Sequence, residues 1–208
     1  MKTKFFPAIL VVITALFIAS CGSNVTLTSW KNPQDNSQIS KVVIIPLFDR
    51  LDYMKPFEQS LVTYFSSQGL KSIGSLDFLN PSLKYPTDVI QKKVDSLGAD
   101  AVLIFKYTGT DKSANYVPPT YWGGFGGYWG YGGYWGGGAV SGGYWTTTST
   151  VNLKALLYTP KNTQGAIWTA DVTVTDPNYV DQAATTIAQD IYADWQRYNL
   201  LKYPPASK

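Results

Sequence analysis

Between Lys41 and Leu200 the apolar positions change rhythm in an ordered way. Lys41-Val42-Val43-Ile44-Ile45 is a continuous β-branched run closed by Pro46, the pattern of a strand buried on both faces. Next, "PFEQSLVTYFSSQG" sets Phe57, Leu61, Tyr64 and Phe65 at helical spacing, with Pro56 suited to a first turn and Gly69 to a C-terminal stop. A second strand is expected near Leu70 to Ser75. A second helix over Thr87 to Leu97 presents Val89, Ile90, Val94 and Leu97 on one side and ends at Gly98. Ala101 to Tyr107 is again almost wholly apolar. Such strand-helix-strand units make parallel sheet.

The rhythm then becomes strict alternation. Val151, Leu153, Ala155 and Leu157 share one face, and so do Trp168, Ala170, Val172 and Val174, with turn residues between Pro160 and Gly165. These segments predict a hairpin with one covered and one more polar face. A last helix, Tyr179 to Leu200, offers Ala184, Ile187, Ile191 and Trp195. The expected fold is α/β (α+β): a single domain with a mixed parallel and antiparallel sheet in the order βαβαβ, long loop, ββα, and helices packed on the sheet.

Residues 1–20 are set apart. A short basic start, an apolar run from Phe5 to Ile18 and small residues before Cys21 are the layout of an export signal. Those 14 apolar residues, at ~1.5 Å each, span about 21 Å against a hydrocarbon core of roughly 30 Å, too little to cross comfortably. Ile18-Ala19-Ser20-Cys21 resembles the lipobox of bacterial lipoproteins, in which the cysteine becomes the first mature residue and carries acyl chains. That resemblance implies membrane anchoring through Cys21. Gly22 stands where an aspartate would retain enteric lipoproteins at the inner membrane, which implies an outer-membrane, periplasm-facing address. Residues 21–39 read as a lipidated polar tether with a short strand at Val25 to Trp30, residues 40–201 as the domain, and residues 202–208 as a tail.

Of 208 residues, 45% are hydrophobic and 15% charged, as in a packed domain. Removing residues 1–20 takes away Lys2 and Lys4, leaving 15 basic against 14 acidic side chains and no electrostatic case for nucleic acid. With no histidine and one cysteine, intrachain disulfides, His/Cys zinc sites and His-based catalytic pairs are excluded. Asp49, Arg50 and Asp52 follow the first strand, where α/β sheets bind ligands, but charged residues are ordinary in such turns. Glu58, the single glutamate, reads as a first-turn acid favoured by the helix dipole. Asp95, Asp100 and Asp111 lack metal-loop spacing, no G-x-S-x-G or S-x-x-K occurs, and Gly130-Tyr131-Gly132 leads to Trp135 rather than to a phosphate-binding glycine. The expectation is a protein without cofactor or metal that binds and does not catalyse.

One segment departs from everything else. Between Tyr116 and Trp145 lie 12 of the 18 glycines and 4 of the 7 tryptophans, with Tyr-Trp pairs at Tyr121/Trp122, Tyr128/Trp129, Tyr134/Trp135 and Tyr144/Trp145. The pairs keep no fixed period. The insertion reads in three ways. It is a tolerated low-complexity loop, an interaction loop whose aromatics anchor an envelope protein partner or a second copy of the same loop, or a platform for peptidoglycan sugars or the lipid headgroup zone. Oligomeric state is left open.

Taken together, "VTLTSWKNP", "KVVIIPLFD", "FEQSLVTYF", "SLGADAVLIFKY", the glycine and aromatic loop and "AIWTADVTV" resemble a family of bacterial lipoproteins whose α/β domain is similar to the amino-terminal domain of TolB. The resemblance implies the fold and brings no active-site residues.

Overall fold

A computed structural model describes residues 24–83, 85–112, 149–160, 162, 165–175, 177 and 179–202. Its strands are β1 (Asn24–Lys31), β2 (Lys41–Leu47), β3 (Lys71–Gly74), β4 (Ala101–Lys112), β5 (Ser149–Tyr158) and β6 (Trp168–Thr175). Its helices are α1 (Leu51–Ser67), α2 (Thr87–Ser96) and α3 (Val180–Arg197), with a 3₁₀ turn at Ser75–Asp77. The strands form one mixed sheet in the order β1-β6-β5-β4-β2-β3. β2 is parallel to β3 and β4, and the other pairings are antiparallel.

Strand β2 lies at the centre of the parallel part, and Val42 to Leu47 are all buried, as a two-sided strand requires. The strand runs through Pro46 to Leu47 instead of closing before the proline. Pairing with β3 ends at Ile44 opposite Gly74, so Pro46 lies beyond that ladder. β3 and β4 flank β2 on opposite sides, so crossovers of one hand put α1 and α2 on opposite faces.

The core accordingly has two halves. On one face Phe57, Leu61 and Phe65 of α1 and Ile187, Ile191 and Trp195 of α3 pack on Val42, Ile44, Leu103, Phe105, Ala155, Leu157, Trp168, Ala170 and Val172. On the other, Ile90 and Val94 of α2 pack on Val43, Ile45, Val102, Ile104, Leu156 and Tyr158. Trp168 and Trp195 meet edge to face at 5.7 Å, and the Trp168 indole N–H donates to Asp194 Oδ2 at 2.8 Å.

Two elements differ from their expected form. Helix α1 begins at Leu51, so Pro56 is its sixth residue and not its first-turn residue. The Arg50 carbonyl starts the helix by accepting from Tyr53 and Met54 at 3.1 and 2.9 Å, and Asp52 is the acid of the first turn. Glu58 is therefore well inside the helix, away from its N-terminal dipole. The polar stretch after Cys21 supplies β1, an eight-residue edge strand paired along its length with β6. The strand expected over Val25 to Trp30 is present and extends one residue further at each end.

Helices α1 and α3 close alike. Gly69 (φ +85°) lets the Leu70 N–H reach back to the Phe65 carbonyl at 3.0 Å, and Asn199 (φ +53°) does the same for Leu200 and Trp195 at 2.9 Å.

Candidate interaction surfaces

Cys21 and the eight aromatics Tyr121, Trp122, Tyr128, Trp129, Tyr134, Trp135, Tyr144 and Trp145 lie outside the described residues. The structure does show where the insertion is rooted. Chain leaves β4 at Lys112 and re-enters β5 at Ser149, and these two residues are register partners. The same end of the sheet holds the N-terminal end of β1. Asn24 pairs with Thr175, Thr175 with Thr150, and Thr150 with Asp111, one continuous row across β1, β6, β5 and β4.

The side of β1, β6 and the first half of β5 that faces away from α1 and α3 is polar and partly exposed. Alternation sends Val25 and Leu27 inward, where they pack on the core, and leaves Thr26, Thr28 and Trp30 outward and exposed. Trp30, at 53% exposure, pairs with Thr169, beside the Thr28–Asp171 pair. Polar contacts run sideways across the strands: Lys154 bridges Asp171 at 2.8 Å, Asn152 donates to Asp111 at 2.7 Å, and Thr173 donates to Asn152 at 3.2 Å. Burial lowers the pKa of Lys106, which pairs in register with Lys154. The result is a hydroxyl-rich face of mixed charge with one large indole at its border. Such a face offers stacking and hydrogen bonding. The sequence signal for it was the Thr-x-Thr-x-Trp alternation.

At the carboxyl end of β2 a cleft of about 310 Å³ is lined by Leu47, Phe48, Asp49, Leu51, Met54 and Pro81. Arg50 and Asp52 pair with each other in solvent instead of turning into it, and the Arg50 guanidinium lies 4.3 Å from the centre of the Tyr53 ring. The hydrogen bond from Arg50 holds the Asp52 carboxyl below its ordinary range. Of the three charged residues at this turn, Asp49 alone lines the cleft, whose other walls are mostly apolar.

Several other carboxylates are committed to local structure. Asp100 accepts the Ser40 and Lys41 backbone N–H groups at 2.7 and 3.0 Å; burial raises its pKa, but the bonds from Ser40 and Lys41 outweigh that and hold it low. Asp194 joins Trp168 and Arg197. Glu58, 4% exposed, accepts the Ser75 and Leu76 N–H groups at 2.8 and 3.0 Å as well as the Ser75 hydroxyl. Burial pushes its carboxyl above the ordinary 4.5 despite those donors. Among the described residues no three acidic, histidine or cysteine side chains gather as metal ligands, and no helix is long and apolar enough to cross a membrane.

No family model matches the chain, and no curated protein matches it. Among solved structures it is similar to a PelC dodecamer from Paraburkholderia phytofirmans, at 13% identity and a TM-score of 0.46, covering 83% of this chain and 98% of that one. It is also similar to lipoprotein GNA1162 from Neisseria meningitidis, at 12% identity and a TM-score of 0.40, covering 76% of this chain and 99% of that one.

Proposed function

We propose that this chain is a lipid-anchored lipoprotein of the bacterial cell envelope, facing the periplasm from the outer membrane, that works by binding a partner and not by catalysis. The observation that carries the reading is the outward face of β1, β6 and β5, where Trp30 pairs with Thr169 beside the Thr28–Asp171 pair and shares the outward row of Thr26. An exposed tryptophan on a hydrogen-bonded strand is a favourable anchor for a partner. The structural duties of Glu58, Asp100 and Asp194 support a non-catalytic role. The lipobox-like Ile18-Ala19-Ser20-Cys21 supports anchoring, with acyl chains contributing ~0.8 kcal/mol per buried methylene. The Gly/Tyr/Trp insertion supplies further aromatic contacts for the same scaffold or accessory role.

A second reading, a glycan partner such as peptidoglycan, is favoured by the Thr28 and Thr169 hydroxyls beside Trp30, since indoles stack on sugar rings and hydroxyls bond to them. Co-sedimentation of the chain from Gly22 onward with purified sacculi separates the two. Loss of pelleting in Trp30→Ala, or on replacing residues 121–144 by a Gly-Ser linker, establishes glycan binding. If the parent protein stays in the supernatant, a photo-crosslinker at Thr28 should instead trap an envelope protein. Trapping nothing on this face would refute it as the binding surface. Trp30→Ala itself should alter stability by no more than about 0.5 kcal/mol, as an exposed position does.

A further inference from the structure

We infer that the domain sits directly on the bilayer, with the sheet end formed by Asn24, Thr175, Thr150 and Asp111 against the lipid headgroups. The inference rests on acylation of Cys21 and goes beyond it, because an anchor alone leaves orientation and distance open. Asn24 already belongs to the sheet, paired with Thr175. Only Gly22 and Ser23 separate it from Cys21, so three residue steps bound its distance from the acylated cysteine to about 11 Å.

From Asn24 the row to Asp111 crosses three strand spacings, about 14 Å. With this row laid along the membrane, all four strand ends lie near its surface. The opposite end does not. Val42 pairs with Ala101, one residue on from the Lys41–Lys71 pair, and Ala101 is ten residues along β4 from Asp111, about 33 Å away.

The chemistry of the near end agrees. Tyr179, four residues past Thr175 and just before α3, is 63% exposed, the highest exposure among the large apolar and aromatic side chains described. Tyrosine settles readily at the headgroup level. Both roots of the insertion, Lys112 and Ser149, are on this end too. The outward face with Trp30 then rises away from the bilayer, so a partner held there lies within one domain height of the membrane.

The test uses the full chain, expressed with its leader, purified in detergent and reconstituted into phosphatidylethanolamine and phosphatidylglycerol vesicles containing headgroup-quencher lipid. Because an acylated Cys21 has no free thiol, Asp111→Cys, Tyr179→Cys and Lys71→Cys each accept a single fluorescent label. Flotation and the mass of the N-terminal peptide report the anchor independently. The expected result is strong quenching at Asp111 and Tyr179, and little at Lys71. A Gly-Ser spacer of about 12 residues between Ser23 and Asn24, adding a span of roughly 19 Å, should reduce quenching several-fold while flotation persists. Flotation with equal quenching at all three sites, or with none at Asp111 and Tyr179, overturns the orientation and leaves the anchor standing. Failure to float, with no acyl mass on Cys21, overturns both.

Discussion

Glu58 occupies the space that a side chain on Gly74 would need. A Cβ built on Gly74 would lie 2.2 Å from Glu58 Oε1, so the glycine at the end of β3 and the glutamate in the middle of α1 fit only as a pair. The glycine lets the carboxylate reach the Ser75 and Leu76 amides, which fixes the turn from β3 into the 3₁₀ segment.

Gly74→Ala is accordingly expected to displace Glu58 and lower stability by about 2–3 kcal/mol, the scale of lost hydrogen bonds to a charged group. Urea denaturation of Gly74→Ala, Glu58→Ala and the double variant checks the pairing. The double variant should lose clearly less than the sum of the single ones.

Titration of Glu58 gives stability a direction in pH. Its folded pKa is raised, so the folded state holds the proton more tightly than the unfolded state. The associated stabilisation is complete below 4.5 and is lost as pH rises from there through the folded value. Asp100 is the opposite case. Its folded pKa is lowered, so its contribution is present above 3.8 and is lost as pH falls from there. Urea midpoints across pH 3 to 8 should show Glu58→Gln gaining on the parent as pH rises above about 4.5, and Asp100→Asn gaining on it as pH falls below about 3.8.

Asp194→Ala removes the acceptor of a buried indole. The Trp168 N–H, fully inside the core, would be left unpaired, at an expected loss of about 1–3 kcal/mol. Chemical denaturation measures the loss. A change in tryptophan emission of the folded protein that disappears in a Trp168→Phe background would place the perturbation at Trp168 and not at the other tryptophans.

Asn199 closes α3 in the left-handed region at φ +53°. Asn199→Gly should keep the unfolding free energy within about 0.5 kcal/mol of the parent, whereas Asn199→Val should lower it by about 1–2 kcal/mol with an unchanged m-value in urea.

What the sequence made legible was whatever depends on neighbours along the chain. The apolar run Val42 to Ile45 declared a two-sided strand, and the alternation from Val151 to Leu157 declared a one-sided one. Boundaries failed where a local rule met a longer-range one. Pro56 suits a first helical turn, but the Arg50 carbonyl started α1 five residues earlier. Thr26, Thr28 and Ser29 have the polarity of a linker, and the strand expected at Val25 to Trp30 runs one residue further at each end because Val25 and Leu27 find the core and β6 pairs along the whole length. The Glu58 cradle was illegible because its donors lie 17 and 18 residues away, at a distance that no periodicity reports. The Cys21 and Tyr-Trp readings remain readings of sequence, and the structure adds to them the place from which both segments depart.

The pairing of β1 with β6 also has a mechanical consequence. Asn24 is the first residue of an eight-residue ladder, so tension from an acyl anchor at Cys21 would pull along β1 and load its bonds to β6 in shear, all together. Peeling, which opens one bond after another, would need a pull across the strand. A chain anchored this way would transmit force from the anchor into the edge strand of its own sheet, and so hold its shape under tugs that would unravel a hairpin from its tip.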